Sequence, residues 1–115
     1  MNGECEMPDF TILKQEFSEV SDFLIALGDE KRQAIIIRLL EDRACQGVRV
    51  NELTEITNLS RPAVSHHLKI LKEAKIIDYR SEGTKNFYYL THETAEINKL
   101  QKLLVDVSQI IAEVD

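Results

Sequence analysis

The chain has 115 residues, of which 43% are hydrophobic and 30% are charged, and its net charge is −6. This length and composition fit one globular domain with a modest core, and they exclude a disordered or membrane-embedded chain. No stretch approaches the ~20 apolar residues that a membrane-spanning helix needs. The acidic start Met1–Glu6 also lacks the features of a signal peptide, so we expect a cytoplasmic protein without a membrane partner.

Residues 1–8 are expected to form a disordered tail, and residues 9–115 are expected to form one domain. The first helix should begin at Pro8 and Asp9 and end at Gly28, a residue that commonly terminates helices. Apolar residues recur along it at spacings of three and four, as in a helix that packs along another helix. They are Leu13, Phe17, Val20, Leu24 and Leu27.

Asp29 is expected to cap the second helix, which should end near Ala44. Its buried side should contain Ile35, Ile36, Leu39 and Leu40. Arg32 lies in the first turn, where we interpret it as a solvated surface residue; a contact with a phosphate is the alternative.

Residues Val50 to Thr57 predict a short helix with Leu53 and Ile56 as its apolar positions, and Asn58 predicts a tight turn. The segment Leu59 to Lys75 then predicts a second helix capped by Ser60. Its buried stripe is Val64, Leu68 and Leu71. A helix, a short turn and a helix form the helix-turn-helix unit.

The opposite face of this second helix is polar and basic, which suits a helix that reads base edges in the major groove. His66 should face DNA, whereas His67 should pack against the neighbouring helix. The candidate DNA contacts on this helix are Ser60, Arg61, Pro62, Ala63, Ser65, His66 and Lys69.

After Lys75 the apolar residues recur at every second position, as in a strand, and no longer at the helical spacing of three or four. Ile76–Arg80 and Lys85–Leu90 predict two strands, and Gly83 lies in the turn between them. This hairpin would form a wing beside the helices. Its candidate DNA contacts, to the backbone or the minor groove, are Arg80, Lys85 and Asn86.

Three sequence segments resemble the ArsR/SmtB family of winged-helix repressors. They are Ala26-Leu27-Gly28-Asp29-Glu30-Lys31-Arg32, then Leu59-Ser60-Arg61-Pro62-Ala63-Val64-Ser65-His66-His67-Leu68-Lys69-Ile70-Leu71, and Ile76-Ile77 with the wing glycine Gly83. The resemblance implies a mainly α fold with a small β-hairpin, about five helices and a two-stranded wing. It also implies a homodimer that binds double-stranded operator DNA, with an inverted repeat as the expected site, and releases it on binding an effector or being modified.

The distribution of charge is compatible with DNA binding despite the acidic total. Residues Ser60 to Leu90 carry six basic and three acidic residues, so a basic reading face sits on an acidic chain. Such a face can neutralise phosphates locally.

The last helix should start at Thr91 to Glu93, with Thr91 or Thr94 as its cap. Its apolar stripe is large for a terminal helix of a small monomer. We therefore expect it to form a dimer interface with the first helix, with an intramolecular core as the alternative. The expected interface residues are Leu13, Phe17, Val20, Ile97, Leu100, Leu104, Val107 and Ile111.

The resemblance also implies where metals would bind, and those positions lack the ligands. Arsenic- and cadmium-type members have a Cys-x-Cys pair soon after a Glu-Leu, but Glu52-Leu53-Thr54-Glu55 has no thiol. Zinc-type members use histidine on the last helix, which has none here, so we expect no metal and no cofactor. His92 should be a surface or helix-start residue.

Cys5 and Cys45 are the two cysteines, and a thiol-based redox or sulfide sensor of the same fold remains an alternative. A second alternative is a winged helix that binds proteins and no longer binds DNA. No nucleophile–base pair is visible in the sequence, so we do not expect an enzyme.

Overall fold

The computed structural model describes residues 10–113, which contain five helices and one β-hairpin. The elements are α1 (Phe10–Leu27), α2 (Glu30–Glu41), α3 (Val50–Thr57), α4 (Arg61–Glu73), β1 (Ile77–Glu82), β2 (Lys85–Leu90) and α5 (Ala95–Ala112). The predicted winged helix-turn-helix fold is confirmed. The expected tail, the first-helix start at Pro8 and Asp9, and Cys5 lie outside the described residues.

Residues 22–94 form one compact unit with an apolar core. The predicted stripe of α4 is completely or almost completely buried, and Ile35 and Leu39 of α2 pack into the same core. Other members come from the loop before α3, from α3 and from the start of β1: Val48, Leu53 and Ile77.

The end of α2 differs from the prediction. The helix ends at Glu41 instead of near Ala44. The prediction that Leu40 is buried is also wrong, because this side chain is 57% exposed. The carboxylate of Asp42 accepts hydrogen bonds from the backbone N–H groups of Gln46 (3.2 Å) and Gly47 (2.8 Å). These bonds stabilise a loop after Glu41 in place of another helical turn.

The helix-turn-helix matches its prediction closely. Asn58 ends α3 in the left-handed conformation with φ 57°, and the Ser60 hydroxyl accepts from Ala63 N at the start of α4. On α3, Ile56 is 44% exposed, contrary to the apolar pattern, and Thr57 is buried in its place. Thr57 can be buried because its hydroxyl donates to Leu53 O at 2.7 Å.

The wing is an antiparallel hairpin in which Ile77 pairs with Leu90 and Glu82 pairs with Lys85. The strand β1 extends two residues further than predicted, so the turn consists of Gly83 and Thr84, with Gly83 at φ 64°. Val48 exchanges two backbone hydrogen bonds with Tyr88, at 2.8 and 3.0 Å. This bridge joins the hairpin to the loop that precedes α3.

Residues 10–21 and 95–113 form the other unit, made of the first part of α1 and all of α5. Lys102 Nζ donates to Glu16 (2.9 Å) and to Asp106 (2.8 Å), and these carboxylates, Asp106 first, raise the pKa of Lys102. No helix within residues 10–113 has the length and apolarity to cross a bilayer.

The last helix, α5, begins at Ala95, later than the expected Thr91 to Glu93 but directly after Thr94, the second of the two expected cap residues. Thr91 is held by the segment that follows α4. Its N–H donates to Ile76 O and its hydroxyl donates to Lys75 O, both at 3.0 Å.

Candidate nucleic-acid interface

The outward face of α4 presents exposed polar and basic side chains at helical spacing. Arg61, Pro62, Ser65, His66 and Lys69 are exposed. Ala63 is half-buried, and the exposed Ser60 uses its hydroxyl to cap the helix. The predicted contacts of α4 thus lie in its first two turns, except Lys69, which lies one turn further along. At the first turn the helix dipole also favours a nearby anion.

Asn51, on α3, contacts this face of α4 and was not predicted from the sequence. Its side-chain oxygen, on α3, accepts a hydrogen bond from Nη1 of Arg61. This contact restricts the Arg61 guanidinium at the start of α4. No sequence signal indicates the pairing, because it depends on how the two helices cross.

Arg32 corrects both interpretations of its role, because it neither lies on the surface nor is free to reach a phosphate. It is 8% exposed, and its guanidinium donates to the carbonyls of Ile25 and Ala26 at 3.0 Å each. Its Nη1 lies 3.0 Å from Nδ1 of His67 on α4. As predicted, His67 faces the neighbouring helix.

The contact fixes the tautomer of His67. A guanidinium can only donate, so Nδ1 of His67 accepts and the ring proton resides on Nε2. Arg32 therefore joins the end of α1, the start of α2 and the middle of α4 through one buried side chain.

Two further side chains of α2 hold α3. Lys31 Nζ donates to the carbonyl of Thr57 at 2.9 Å, and Arg38 forms an ion pair with Glu52. The hydrogen bond to Glu52 raises the pKa of Arg38. These contacts fix the helix-turn-helix to α2, so α4 is presented by a rigid support.

The wing residues are organised around the ring of Phe87. The guanidinium of Arg80 lies 5.0 Å from the ring centroid, and that of Arg49 lies 5.5 Å from it. Arg80 also donates to Glu82 Oε2 (3.0 Å) and to Gln46 O. Arg49 was missed from the sequence, because it lies just before α3, outside the hairpin.

The other two predicted wing contacts occupy different environments. Lys85 is exposed beside the turn, whereas Asn86 is half-buried and accepts a hydrogen bond from Ser81 Oγ at 2.7 Å. Lys85 thus has a free surface position, and Asn86 helps to hold the two strands together. Burial raises the pKa of neighbouring Tyr88.

The predicted dimer residues divide into three groups. Phe17, Ile97, Leu104 and Ile111 are exposed, with Leu104 at 56% and Ile111 at 66%. Leu13, Leu100 and Val107 are half-buried. Val20 is completely buried within its own chain, so it leaves no surface for a partner and is corrected to a core residue.

Cys45 lies in the loop beyond α2, and its Sγ is 3.8 Å from Nε2 of His92. His92 is exposed and precedes α5, as expected of a surface residue. No pattern along the chain indicates its pairing with a cysteine 47 residues away. Within residues 10–113, no cluster of three or more Cys, His, Asp or Glu side chains is arranged to hold a metal ion.

Comparison with known proteins agrees with this geometry. Residues 30–79, which include the helix-turn-helix and the start of the wing, match the family described as "Bacterial regulatory protein, arsR family". A HTH-type transcriptional regulator of Methanocaldococcus jannaschii is 36% identical over 88 residues, covering 75% of this chain and 94% of that protein. An arsenical resistance operon repressor of Bacillus subtilis is 38% identical over 76 residues, covering 65% and 67%.

The fold is shared with a solved structure as well. NolR from Sinorhizobium fredii superposes with a TM-score of 0.64 at 25% identity, over 90% of this chain and 96% of that one. The match of fold extends beyond the helix-turn-helix segment. The chain therefore belongs to the arsR family of bacterial regulatory proteins, and it is a DNA-binding transcriptional regulator with a winged helix-turn-helix.

Proposed function

We propose that this protein is a transcriptional repressor that acts as a homodimer, binds an inverted repeat in operator DNA, and is released when an effector binds or modifies it. Relatives whose names identify them as operon repressors support the direction of regulation.

The observation that carries the proposal is the two-sided character of α4. Val64, Leu68 and Leu71 are buried, whereas Ser65, His66 and Lys69 on the other side are exposed. Serine and histidine can hydrogen-bond to base edges, and lysine can neutralise a phosphate. A helix with this division can enter the major groove without losing its packing.

The apolar surface of α1 and α5 supports the dimer. Phe17, Ile97, Leu104 and Ile111 leave large parts of their side chains exposed, and Val105 adds to them. Several large apolar side chains exposed on these two helices favour an interaction surface, and a second copy of the chain offers the same side chains to pair with them. Two linked α4 helices would then read two half-sites.

The test is a titration of labelled DNA with the purified protein. An operator is first recovered as the genomic fragment retained by the protein, and its affinity is compared with that of a scrambled duplex. We expect nanomolar-range binding to the operator, steep weakening with added salt as counterions are released, and much weaker binding to the scrambled duplex. Equal affinity for the two duplexes would refute sequence-specific repression.

A charge control accompanies this titration. Lys99→Ala removes one positive charge outside the helix-turn-helix and the wing, so it should leave the affinity ratio of the two duplexes unchanged. Sedimentation of the free protein at micromolar concentration tests the dimer separately.

A further inference from the structure

We propose that Cys45 and His92 form a thiol–imidazole site that reacts with small α,β-unsaturated carbonyl compounds, and that the adduct releases the protein from DNA. The release from DNA rests on the proposed function, whereas the reaction at Cys45 does not depend on it.

The first observation is the pairing of a nucleophile with a base. Cys45 Sγ lies 3.8 Å from Nε2 of His92, within reach of a sulfur hydrogen bond, and Cys45 is a free thiol. Imidazole can take the thiol proton, and the resulting thiolate is the nucleophilic form of cysteine. A disulfide would need a second thiol, but among residues 10–113 Cys45 has an imidazole as its neighbour.

The second observation is the pocket beside the pair. An open pocket of about 190 Å³ contains Cys45 and His92, and its wall is completed by Leu39, Leu40, Leu90, Asp42, Arg43 and Thr91. The exposed position of Leu40, which contradicted the sequence pattern, places an apolar side chain on this wall. A short hydrocarbon chain fits such a lining. Arg43, also on the wall, offers a cation for a carbonyl oxygen.

The reaction that this arrangement supports is a conjugate addition. His92 Nε2 accepts the thiol proton, and the Cys45 sulfur forms a bond to the β-carbon of the unsaturated carbonyl. The electron pair of the carbon–carbon double bond moves toward the carbonyl oxygen as an enolate. The imidazolium then returns the proton to the α-carbon. The product is a thioether that keeps every atom of both reactants, and no oxidant or reductant takes part.

The third observation connects the site with the DNA-binding elements. Cys45 adopts φ 55°, a left-handed conformation that a non-glycine residue rarely holds. It lies within the loop in which Asp42 accepts from Gln46 N and Gly47 N. The carbonyl of Gln46 accepts from Arg80 of the wing.

The loop has little freedom to absorb an added group. A Cβ at Gly47 would lie 2.5 Å from the Cβ of Phe87, so loop and wing are in close contact there. Val48 pairs with Tyr88 immediately afterwards. The bonded group would occupy the pocket between this loop and Leu90 at the end of β2, so it would change how the loop holds Arg80 and the base of the wing, and the wing contacts to DNA would weaken.

The experiment treats the full-length protein with crotonaldehyde, and with butyraldehyde as a control that lacks the double bond. Intact mass and peptide mapping measure the adduct and its position, and operator binding is measured on the same samples. We expect one adduct at Cys45, unchanged in Cys5→Ser and absent in Cys45→Ser. We expect its rate to fall at least about tenfold in His92→Gln, because the base is removed. Operator affinity should fall as the adduct forms, and Cys45→Ser should keep its affinity in crotonaldehyde.

Several outcomes overturn the proposal: an adduct confined to Cys5, an equal rate in His92→Gln, or a complete Cys45 adduct that leaves operator affinity unchanged. Failure of the untreated protein to bind any operator would instead refute the proposed function, and mass analysis would still decide whether Cys45 and His92 react as described.

Discussion

Arg32 Nη1 lies 3.0 Å from His67 Nδ1, and this contact joins α2 to α4, the second helix of the helix-turn-helix. The same guanidinium donates to two carbonyls at the end of α1. One buried cation thus satisfies three acceptors that belong to different parts of the unit formed by residues 22–94. The orientation of α4 therefore depends on a residue that does not itself face DNA.

Removing this cation should destabilise the protein. We expect Arg32→Ala to lower the free energy of unfolding by about 2–3 kcal/mol, because one buried acceptor and two partly buried ones lose their charged donor. Arg32→Lys should recover only part of the loss, since an ammonium lacks the planar fork of a guanidinium. Urea denaturation measures both values. Arg43→Ala, at an exposed arginine, is the control, and an equal loss in that variant would contradict the role assigned to Arg32.

Asp29 gives a pH-dependent contribution to stability. Its carboxylate accepts from the backbone N–H groups of Arg32 and Lys31, and these bonds, Arg32 first, lower the pKa of Asp29. A lowered folded-state pKa stabilises the fold above the unfolded value of about 4, and this contribution is lost as the pH falls through the folded value.

We expect Asp29→Ala to cost about 1 kcal/mol at neutral pH and less near pH 3. Asp29→Asn should keep most of the cap and lose its pH dependence. Urea midpoints of the three proteins at pH 7 and pH 3 test this. An undiminished Asp29→Ala effect at pH 3 would show that the charge is not involved.

Substitutions on the exposed face of α4 should separate sequence reading from general attraction. Ser65→Ala with His66→Ala should lower the affinity for the operator more than that for a scrambled duplex, with about 1–3 kcal/mol lost per base contact. Lys69→Ala should weaken both duplexes alike and reduce the salt dependence. Fluorescence anisotropy at several salt concentrations measures these effects. A double variant that weakens both duplexes equally would argue against base reading by these residues.

The exposed apolar side chains of α5 predict that a charge introduced among them would prevent the protein from forming a dimer. We expect Leu104→Glu to give monomers or unfolded chain and to abolish operator binding, because a dimer interface would have to desolvate the carboxylate. Asn98→Glu adds the same charge at another exposed position of α5 and should remain dimeric. Sedimentation measures both. A wild-type protein that is monomeric at micromolar concentration would contradict the interface.

Because the chain is similar to an arsenical resistance operon repressor, the effect of metals on its operator binding tests the prediction that it has no metal site. We expect stoichiometric zinc, cadmium and arsenite to leave the operator complex intact. Tight binding of such ions takes about three or four ligands in fixed geometry, and Glu52–Glu55 contains no thiol. Operator release is measured with each ion for the wild type and for Cys45→Ser. Release by zinc in Cys45→Ser would reveal a site built from histidines and carboxylates.

Local signals in the sequence predicted the helix-turn-helix well. Ser60 and Asn58 are residues whose side chains or backbone preferences act within one turn, and the stripe Val64, Leu68 and Leu71 needs only helical spacing. Features that depend on distant segments could not be predicted in this way. The spacing of apolar residues in α2 does not tell whether another segment of the chain packs over Leu40 and buries it. In the same way, the sequence of the first turn of α2 does not identify the carbonyl groups to which Arg32 donates.

The candidate interface shows the same division. The exposed positions of Arg61, Ser65, His66 and Lys69 follow from the face of one helix, so the sequence alone predicts that they are exposed. The partners Asn51 and Arg49 come from other segments, and the approach of Cys45 to His92 joins two loops. Contacts of that kind are set by tertiary packing, which a pattern along one segment does not contain.

The bridge between Val48 and Tyr88 also has a consequence for the order in which this unit folds. Helices α3 and α4 meet across a turn of a few residues, so little chain entropy is lost when they come together. The bridge closes a much longer loop, because the whole helix-turn-helix lies between its two residues. The hairpin should therefore dock after the helices have assembled, and during synthesis it cannot do so until Tyr88 has left the ribosome.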